Sequence, residues 1–300
     1  MKKRKLLVMG LLILLSVSLA ACDKSTASHK AGSSSTKQPY SRVVAGTRTV
    51  AQYLDLYKIK LVGVANEEGM PAHYTHLKKV GQPRELNVEA ISGLKPDLFI
   101  GDKGFEAMSS HQLQAANIKS RYLDSSSYDK VFQNVKTVGK LFNQESKTNG
   151  IIKKLKSGET KALAGSEKLK GKKVLLLFGT GSGYMAATKH SFLGSLLTKL
   201  GVTNVADGLP KSQIAYAPIS LESAVAKNPD VILTLAHGNK AIAKKAFSAE
   251  MKKALWQKTN AVKHHRVYPI DDQKYPVTGN IHAVSVLNRL KELLLNGQTS

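Results

Sequence analysis

The chain has 300 residues, of which 45 are Lys or Arg and 21 are Asp or Glu, so its formal net charge is +24. It contains a single cysteine, which excludes an internal disulfide. A charge of this size can indicate nucleic-acid binding, but the lysines are spread along the chain and do not alternate with aromatic residues. We therefore expect no nucleic-acid partner; the charge instead favours an anionic ligand or an anionic surface.

The first 21 residues have the pattern of a signal peptide. A basic stretch at residues 2–5 precedes an apolar run at residues 6–19, which is too short for a transmembrane helix. The run ends in Leu-Ala-Ala before Cys22, and this arrangement resembles a bacterial lipobox, in which the cysteine is acylated. We expect lipidation of Cys22 to hold the protein on the extracellular face of the cytoplasmic membrane. The alternative is an ordinary cleaved secretion signal.

Residues 22–40 are rich in Ser, Lys, Thr and Ala, a composition that is typical of a flexible linker and not of a folded element. The eighteen residues after Cys22 span a root-mean-square distance of roughly 23–25 Å. We interpret this segment as a lipidated tether that keeps the folded part close to the membrane.

From residue 41 the chain alternates between short apolar runs and helical segments, which predicts an α/β fold. We assign residues 41–126 to an N-terminal lobe. Its predicted strands lie at residues 42–45, 61–64 and 121–123, and its predicted helices at 48–57 and 107–116. Residues 65–86 are predicted to be one long loop, rich in Gly, Pro and His, and loops of this length are often functional.

One phrase occurs twice in the chain. Residues 87–100 and 220–233 each place a Glu seven residues before a Pro-Asp pair, and an apolar run follows. Because proline is tolerated only at the start of an element, each copy predicts a short helix that carries the Glu and a buried strand that follows it. Two copies imply two lobes with a ligand cleft between them. Glu89 and Glu222 are then matched acids, unless each is an ordinary solvated charge.

Apolar residues recur at helical spacing through residues 127–157, and this segment contains no proline. It lies midway between the two copies of the phrase, so we predict one long helix that connects the lobes, with or without a break near residues 149–150.

Residues 158–300 are assigned to a C-terminal lobe that opens with a buried strand at 173–178. The glycine-rich turn after this strand lacks the Gly-Lys-Ser/Thr ending of a phosphate loop, and a further strand is predicted at 184–187, so nucleotide binding is not expected. The remaining predicted elements are helices at 191–200, 240–254 and 281–295 and strands ending at 235 and covering 266–268.

The lipobox, the tether, the two lobes, the connecting helix and the paired Glu phrases together resemble the class III substrate-binding proteins of ABC importers. The resemblance covers residues 41–295 and implies an α/β fold of two Rossmann-like lobes joined by one long helix. Within that class, the chain is most similar to the haem-receptor lipoprotein of the iron-regulated surface determinant system of Gram-positive bacteria. The matching stretches are residues 80–83, 183–194, 236–238, 256 and 261–268.

This resemblance implies that His237 is the proximal ligand of haem iron and that Tyr184 contacts the ligand. The residues themselves agree, because His237 follows a predicted strand at the end where open α/β sheets bind ligands. Imidazole is also a common axial ligand of haem.

The sequence departs from the family directly after Gly-Gln-Pro, where the haem receptors have a Met that supplies the second axial ligand. Arg84 occupies this position, and a guanidinium cannot ligate iron. One alternative is that His237 alone holds haem while Arg84 pairs with a propionate. Another is that a residue of the preceding loop reaches the iron, with Met70 and His73 as the candidates.

Tyr74 and His76 lie in the same loop and are weaker candidates for the second ligand. A third alternative changes the ligand itself. An anionic ferric siderophore could be held through its carboxylates by Arg84, Tyr184 and His237.

The resemblance also implies a partner, since in this class the paired acids meet arginines on the permease. We expect Glu89 and Glu222 to dock a monomeric receptor on an ABC permease dimer. Ferrochelatase-type enzymes share a two-lobed architecture, but the chain has no Ser/His/Asp order and no zinc-spaced cluster, so we do not expect an enzyme. The predicted function is a membrane-anchored receptor that captures haem in the interlobe cleft for iron acquisition.

Overall fold

The computed structural model describes residues 39–181 and 183–297. The predicted signal peptide, Cys22 and most of the predicted tether lie outside these residues. The described chain alternates strands and helices, as the sequence predicts. Within this part of the chain, every helix is too short or too polar to cross a membrane.

The first lobe is built on a five-stranded parallel sheet. Its strands and helices are β1 (Val43–Ala45), α1 (Arg48–Leu56), β2 (Leu61–Val64), β3 (Lys78–Lys79), β4 (Gly81–Gln82), β5 (Glu85–Leu86), α2 (Val88–Gly93), β6 (Leu98–Asp102), α3 (Glu106–Ala115) and β7 (Ser120–Leu123). The sheet has the order β3-β2-β1-β6-β7, and β4 and β5 form a separate hairpin. Parallel pairing requires helical crossovers that cover the sheet, and β1 and β6 are accordingly buried along their whole length.

The second lobe repeats this plan with a mixed sheet. Two helices, α4 (Tyr128–Leu141) and α5 (Glu145–Leu163), precede it in the chain. The elements of the lobe are β8 (Lys173–Gly179), β9 (Tyr184–Ala187), α6 (Phe192–Lys199), β10 (Thr203–Asn204), β11 (Tyr216–Ala217), α7 (Leu221–Ala226), β12 (Val231–Ala236), α8 (Lys240–Met251), α9 (Asn260–Lys263), β13 (Val267–Asp271) and α10 (Ala283–Asn296). The order is β11-β9-β8-β12-β13, with β10 also paired to β8. Strands β8, β12 and β13 run parallel, so their carboxyl ends meet at one edge.

The segment predicted as one connecting helix consists of two helices, α4 and α5, and α5 extends six residues beyond the predicted end at 157. The break falls at Asn143, which adopts a φ of 54°, a region that asparagine enters more readily than most residues. Gly139 of α4 contacts Thr148 of α5 so closely that a side chain at position 139 would collide with it. The chain therefore passes between the lobes through a packed helix pair, and α5 lies against α10.

The repeated phrase folds in the same way in both lobes. Asn87 caps α2 and Ser220 caps α7, each by accepting a hydrogen bond from the backbone N–H three residues later. Lys95 and Asn228, which follow the two helices, have φ angles of 46° and 45°. The sequence repeat is therefore also a structural repeat.

The aspartate after each proline ties the phrase to the first strand of its lobe. Asp97 accepts hydrogen bonds from the N–H groups of Ser41 at 2.6 Å and Arg42 at 3.0 Å, just before β1. Asp230 accepts a hydrogen bond from the N–H of Lys173, the first residue of β8, at 2.9 Å. Partial burial by itself raises the pKa of Asp97, but the hydrogen bonds from Ser41 and Arg42 outweigh it and leave the pKa lowered.

The two lobes touch through the segment that precedes α10. The hydroxyls of Thr49 and Thr278 lie 2.9 Å apart, and the Tyr53 phenol donates to the carbonyl of Gly279 at 2.8 Å. The N–H of Gly279 donates to the carbonyl of Ser125 at 2.7 Å. A Cβ at Gly279 would approach α4 to 2.9 Å, so this crossing requires a glycine.

The prediction of an unstructured loop over residues 65–86 is wrong in part. This segment contains a 3₁₀ turn at Ala72–Tyr74 and the short strands β3, β4 and β5. The sequence also does not predict β10, β11 or α9. These elements have two to four residues each, too few to show a hydrophobic period.

We predict that Asp97→Asn lowers the free energy of unfolding by about 1 kcal/mol near neutral pH, because the strand loses a charged acceptor. Since the folded pKa of Asp97 is lowered, this contribution is present above the ordinary value of 3.8 and is lost as the pH falls through the folded value. Urea denaturation of both proteins from about pH 7 to about pH 3 measures the effect. Glu89→Gln, an exposed acid of the same phrase, is the control. An Asp97→Asn effect that did not change with pH would contradict this account.

Candidate functional site

A cavity of about 430 Å³ lies between the lobes. Asp102 and Ser125, which lie at or just beyond the carboxyl ends of β6 and β7, line it from the first lobe. His190, Phe192, Tyr216 and Val277 line it from the second lobe. In open α/β sheets, ligands bind at the carboxyl ends of the strands, so this cleft is the candidate binding site.

His237 follows the carboxyl end of β12, near this cavity. Its backbone N–H donates to the carbonyl of Gly179 at 2.9 Å, which fixes the start of the turn. The ring Nδ1 lies 2.9 Å from Oδ2 of Asp272, and 39% of the side chain is exposed. When Nδ1 donates its proton to this carboxylate, Nε2 carries the lone pair and is free to bind a metal.

Asp272 is held in place from a second side. Its side chain is only 8% exposed, and its other oxygen forms an ion pair with Lys240 at the start of α8. Burial by itself raises the pKa of Asp272, but the hydrogen bonds from Lys240 and His237 outweigh it and leave the pKa lowered. The carboxylate therefore stays charged near neutral pH and continues to orient the imidazole.

Aromatic rings form the wall beside His237. The Phe178 ring lies 5.7 Å from the imidazole, centroid to centroid, and stacks on Tyr216 at 4.3 Å. Burial raises the pKa of Tyr216 to about 12, so its phenol is neutral. The second lobe thus presents an imidazole near the Tyr216 ring, which is backed by the buried ring of Phe178.

The first lobe lines the cleft with a carboxylate and a hydroxyl. Asp102 is 5% exposed and Ser125 is 2% exposed. One oxygen of Asp102 accepts the N–H of Gly104 at 2.9 Å. Its other oxygen and the hydroxyl of Ser125 are buried, and neither meets hydrogen-bond geometry with any residue from 39–181 or 183–297. Burial raises the pKa of Asp102, although the Ser125 hydroxyl is close enough to act to lower it without meeting the geometry of a hydrogen bond. A bound molecule could satisfy these polar atoms.

Arg84 lies in the turn of the β4–β5 hairpin and is exposed. Its guanidinium lies 5.5 Å from the ring centroid of Phe105, which follows β6. The hairpin is bonded to the end of β2 through the N–H of Asn66 and the carbonyl of Gly81 at 2.8 Å. Arg84 is therefore at the carboxyl edge of the first sheet, where a cation can meet an anionic group at the mouth of the cleft.

The structure does not place the predicted second ligands at the cleft. Met70 is 8% exposed and packs in the hydrophobic core. His73 is exposed, with Nδ1 3.1 Å from Oδ1 of Asp55 in the last turn of α1, at the amino edge of the sheet. Tyr74 is buried beside it, and His76 lines the same shallow depression. This placement does not support the prediction of Met70 or His73 as a ligand.

Tyr184 also differs from its predicted role. Its phenol donates to Glu250 at 2.9 Å, and its ring lies 6.2 Å from that of Phe247. Tyr184 pairs with Gly179 across β8 and β9, while the next pair is Phe178 with Met185. Because successive side chains of a strand point to opposite faces, Tyr184 lies on the face away from Phe178. Tyr216, and not Tyr184, flanks the cleft.

Glu89 and Glu222 occupy equivalent positions in the first turns of α2 and α7, and both are exposed. Each helix precedes a parallel strand that runs toward the cleft edge. The helix runs the opposite way, so its first turn lies at that same edge. The two acids therefore mark the cleft side of each lobe.

Sequence reasoning missed Asp272, Phe178 and Tyr216. Asp272 directly follows β13 and Phe178 is the last residue but one of β8, so the strand-end rule that selected His237 could have found them. Tyr216 lies on the two-residue strand β11, for which the sequence carries no clear signal. Within the described ranges, no group of three or more His, Cys, Asp or Glu is arranged to hold a metal ion.

Two α/β lobes that are joined by helices and enclose a cleft at their strand ends define a bilobed substrate-binding protein. The chain belongs to the periplasmic binding protein family, whose model matches residues 43–274. It is 28% identical over 286 residues to the high-affinity heme uptake system protein IsdE of Staphylococcus aureus, covering 94% of this chain and 95% of that protein.

Solved structures share the architecture. An ABC transporter substrate-binding protein from Listeria monocytogenes EGD-e matches with a TM-score of 0.77 at 28% identity, over 86% of this chain and 99% of that chain. S. aureus IsdE complexed with heme gives a TM-score of 0.78 at 28% identity, over 85% and 99% of the two chains. The predicted fold class and family are confirmed. The protein is an ABC transporter substrate-binding protein, and these relatives are binding proteins, not enzymes.

Proposed function

We propose that this protein captures haem in the interlobe cleft, binds its iron through His237 and delivers it to an ABC permease. The observation that carries this proposal is the bond between Nδ1 of His237 and Asp272, which leaves Nε2 available at the cleft. A carboxylate that orients the imidazole is the usual support for a metal-binding histidine. Haem is the cargo, and the protein supplies its binding and release.

The shape and polarity of the cleft support a planar apolar cargo. The Tyr216 ring lines the cleft and stacks on the buried ring of Phe178 next to His237, so it offers an aromatic face to a porphyrin. Arg84 and Lys103 are exposed at the edge of the cleft, and either cation can pair with a propionate. The similarity to IsdE, which is named as a heme uptake protein, supports the same ligand class.

We predict that His237→Ala collapses or shifts the Soret band after haem addition and weakens haem binding by at least about tenfold. Absorbance titration with haem measures this effect.

The control is His264→Ala, which changes an exposed histidine before β13, at the amino edge of the sheet. The control should bind haem as the native protein does. An unchanged spectrum in His237→Ala would overturn the ligand assignment. Tight binding of a ferric siderophore without any haem band would replace haem as the cargo.

The proposal extends to the permease through Glu89 and Glu222. Exposed ion pairs are individually weak, at about 0.2–1 kcal/mol, and interface charges act mainly on register and association rate. We predict that Glu89→Arg/Glu222→Arg nearly abolishes haem uptake by whole cells and leaves haem affinity unchanged. Single Glu→Ala changes should slow uptake modestly.

The matched control for this double change is Glu145→Arg/Glu167→Arg, which alters two other exposed acids by the same total charge. Uptake by this control should stay normal. Normal uptake by Glu89→Arg/Glu222→Arg would contradict the docking role, and loss of haem binding in it would place the acids in the site.

We also propose that Cys22 is lipidated and anchors the protein outside the cytoplasmic membrane, with two acyl chains providing stable attachment. Cys22→Ala should release the protein into the medium or leave an unprocessed precursor. Labelling with radioactive fatty acid measures this directly, and equal incorporation into the variant would contradict the proposal.

A further inference from the structure

The first lobe lacks the iron ligand that the resemblance to haem receptors implies. Arg84 occupies the position of the ligating Met, and its protonated guanidinium cannot donate a lone pair to iron. Met70 packs in the core and His73 lies at the amino edge of the sheet. If haem lies between the lobes, the axial position opposite His237 must be filled by another first-lobe group or by water.

Glu67 is a first-lobe residue at the carboxyl edge of the sheet, and one of its carboxylate oxygens is free. It follows the carboxyl end of β2 after two residues, and it is partly buried. Its Oε2 accepts the backbone N–H of Arg48, the first residue of α1, at 2.6 Å. Among the described residues, no hydrogen bond reaches its other oxygen, Oε1. The carboxylate is thus held by one oxygen and leaves the other uncommitted.

A chain of contacts brings Glu67 toward His237. The Arg48 guanidinium donates to the carbonyl of Glu68 at 3.2 Å and to Oε1 of Gln273 at 3.3 Å. Gln273 is the immediate neighbour of Asp272, which holds His237. Burial raises the pKa of Glu67 and the Asp102 carboxylate adds to this rise, while Arg48 and, least of all, His237 act to lower it.

We propose that Glu67 is the first-lobe ligand of the haem iron, through Oε1, opposite His237. This inference rests on the proposed function. Histidine and carboxylate together are an established ligand combination for iron. The hydrogen bond from Arg48 orients the carboxylate as Asp272 orients the imidazole, so both axial groups have a fixed supporting partner. A ferric ion also compensates the charge that burial at this position disfavours.

Neighbouring acids are less suited to this role. Glu68 is exposed, and its carbonyl rather than its carboxylate is engaged by Arg48. Asp102 is buried against Gly104 and Ser125 at the part of the cleft that contains His190.

The test compares ferric haem complexes of the native protein, Glu67→Gln, Glu67→Met and the control Glu68→Gln by absorbance and electron paramagnetic resonance. A His/carboxylate pair should give a high-spin ferric spectrum. Glu67→Gln should alter this spectrum and weaken haem binding by about tenfold or more. Glu67→Met should convert the iron toward a low-spin His/Met form, and Glu68→Gln should match the native protein.

The spectra separate a ligand from a merely structural residue. If Glu67 only held the start of α1, its loss would lower stability or affinity without changing the axial field of the iron. Native-like spectra in both Glu67 variants would overturn this inference while leaving haem binding intact. Absence of any haem band in the native protein would overturn the proposed function itself.

Discussion

The bond between His237 and Asp272 determines what the second lobe can present to a ligand. Ala236 and Asp271 are paired in register across β12 and β13, so the next residue of each strand is brought to the same edge. The parallel register therefore makes this bond, and the bond selects Nε2 as the free nitrogen. Lys240 holds the other oxygen of Asp272, so the carboxylate is fixed by both neighbours. Without this arrangement, the cleft would present a histidine with no defined tautomer.

The position of the strand ends at the cleft depends on how each lobe is assembled. Asp97 and Asp230 bond to the backbone at the start of β1 and β8, so in each lobe two central strands begin at a common level. Strands that begin together also deliver their carboxyl ends to a common edge. The repeated Glu phrase is consequently both a surface feature and a structural one. Its proline ends the helix, and its aspartate fixes the level at which the strands begin. Its glutamate remains exposed at the cleft side.

The sequence predicts the regular part of this architecture because long apolar runs and helical spacing carry strong signals. The strand at residues 61–64 and the helices around α1, α3, α6 and α10 lie where they are expected. The site is less predictable. The resemblance to haem receptors implies that Tyr184 contacts the ligand. One residue of strand register, however, decides which face of the sheet its side chain occupies. Met70, His73 and Glu67 share one loop, and only its short strands and turns determine which of them lies near the cleft. The break between α4 and α5 is equally hidden, since a left-handed asparagine has no periodic signature.

The position of the exposed acids links ligand capture to docking. Glu89 and Glu222 stand at the first turns of α2 and α7, on the edge where the cleft opens. A partner that engages both acids must therefore span both lobes and cover the mouth of the cleft. The side-chain hydrogen bonds that join the lobes include those of Tyr53, the Thr49–Thr278 pair and the Arg48–Gln273 pair. Each such bond contributes only about 1 kcal/mol, but one apolar cluster that includes Tyr53 of the first lobe and Phe192 of the second runs through both lobes. A partner that moved the lobes apart would therefore have to offset the loss of this packing.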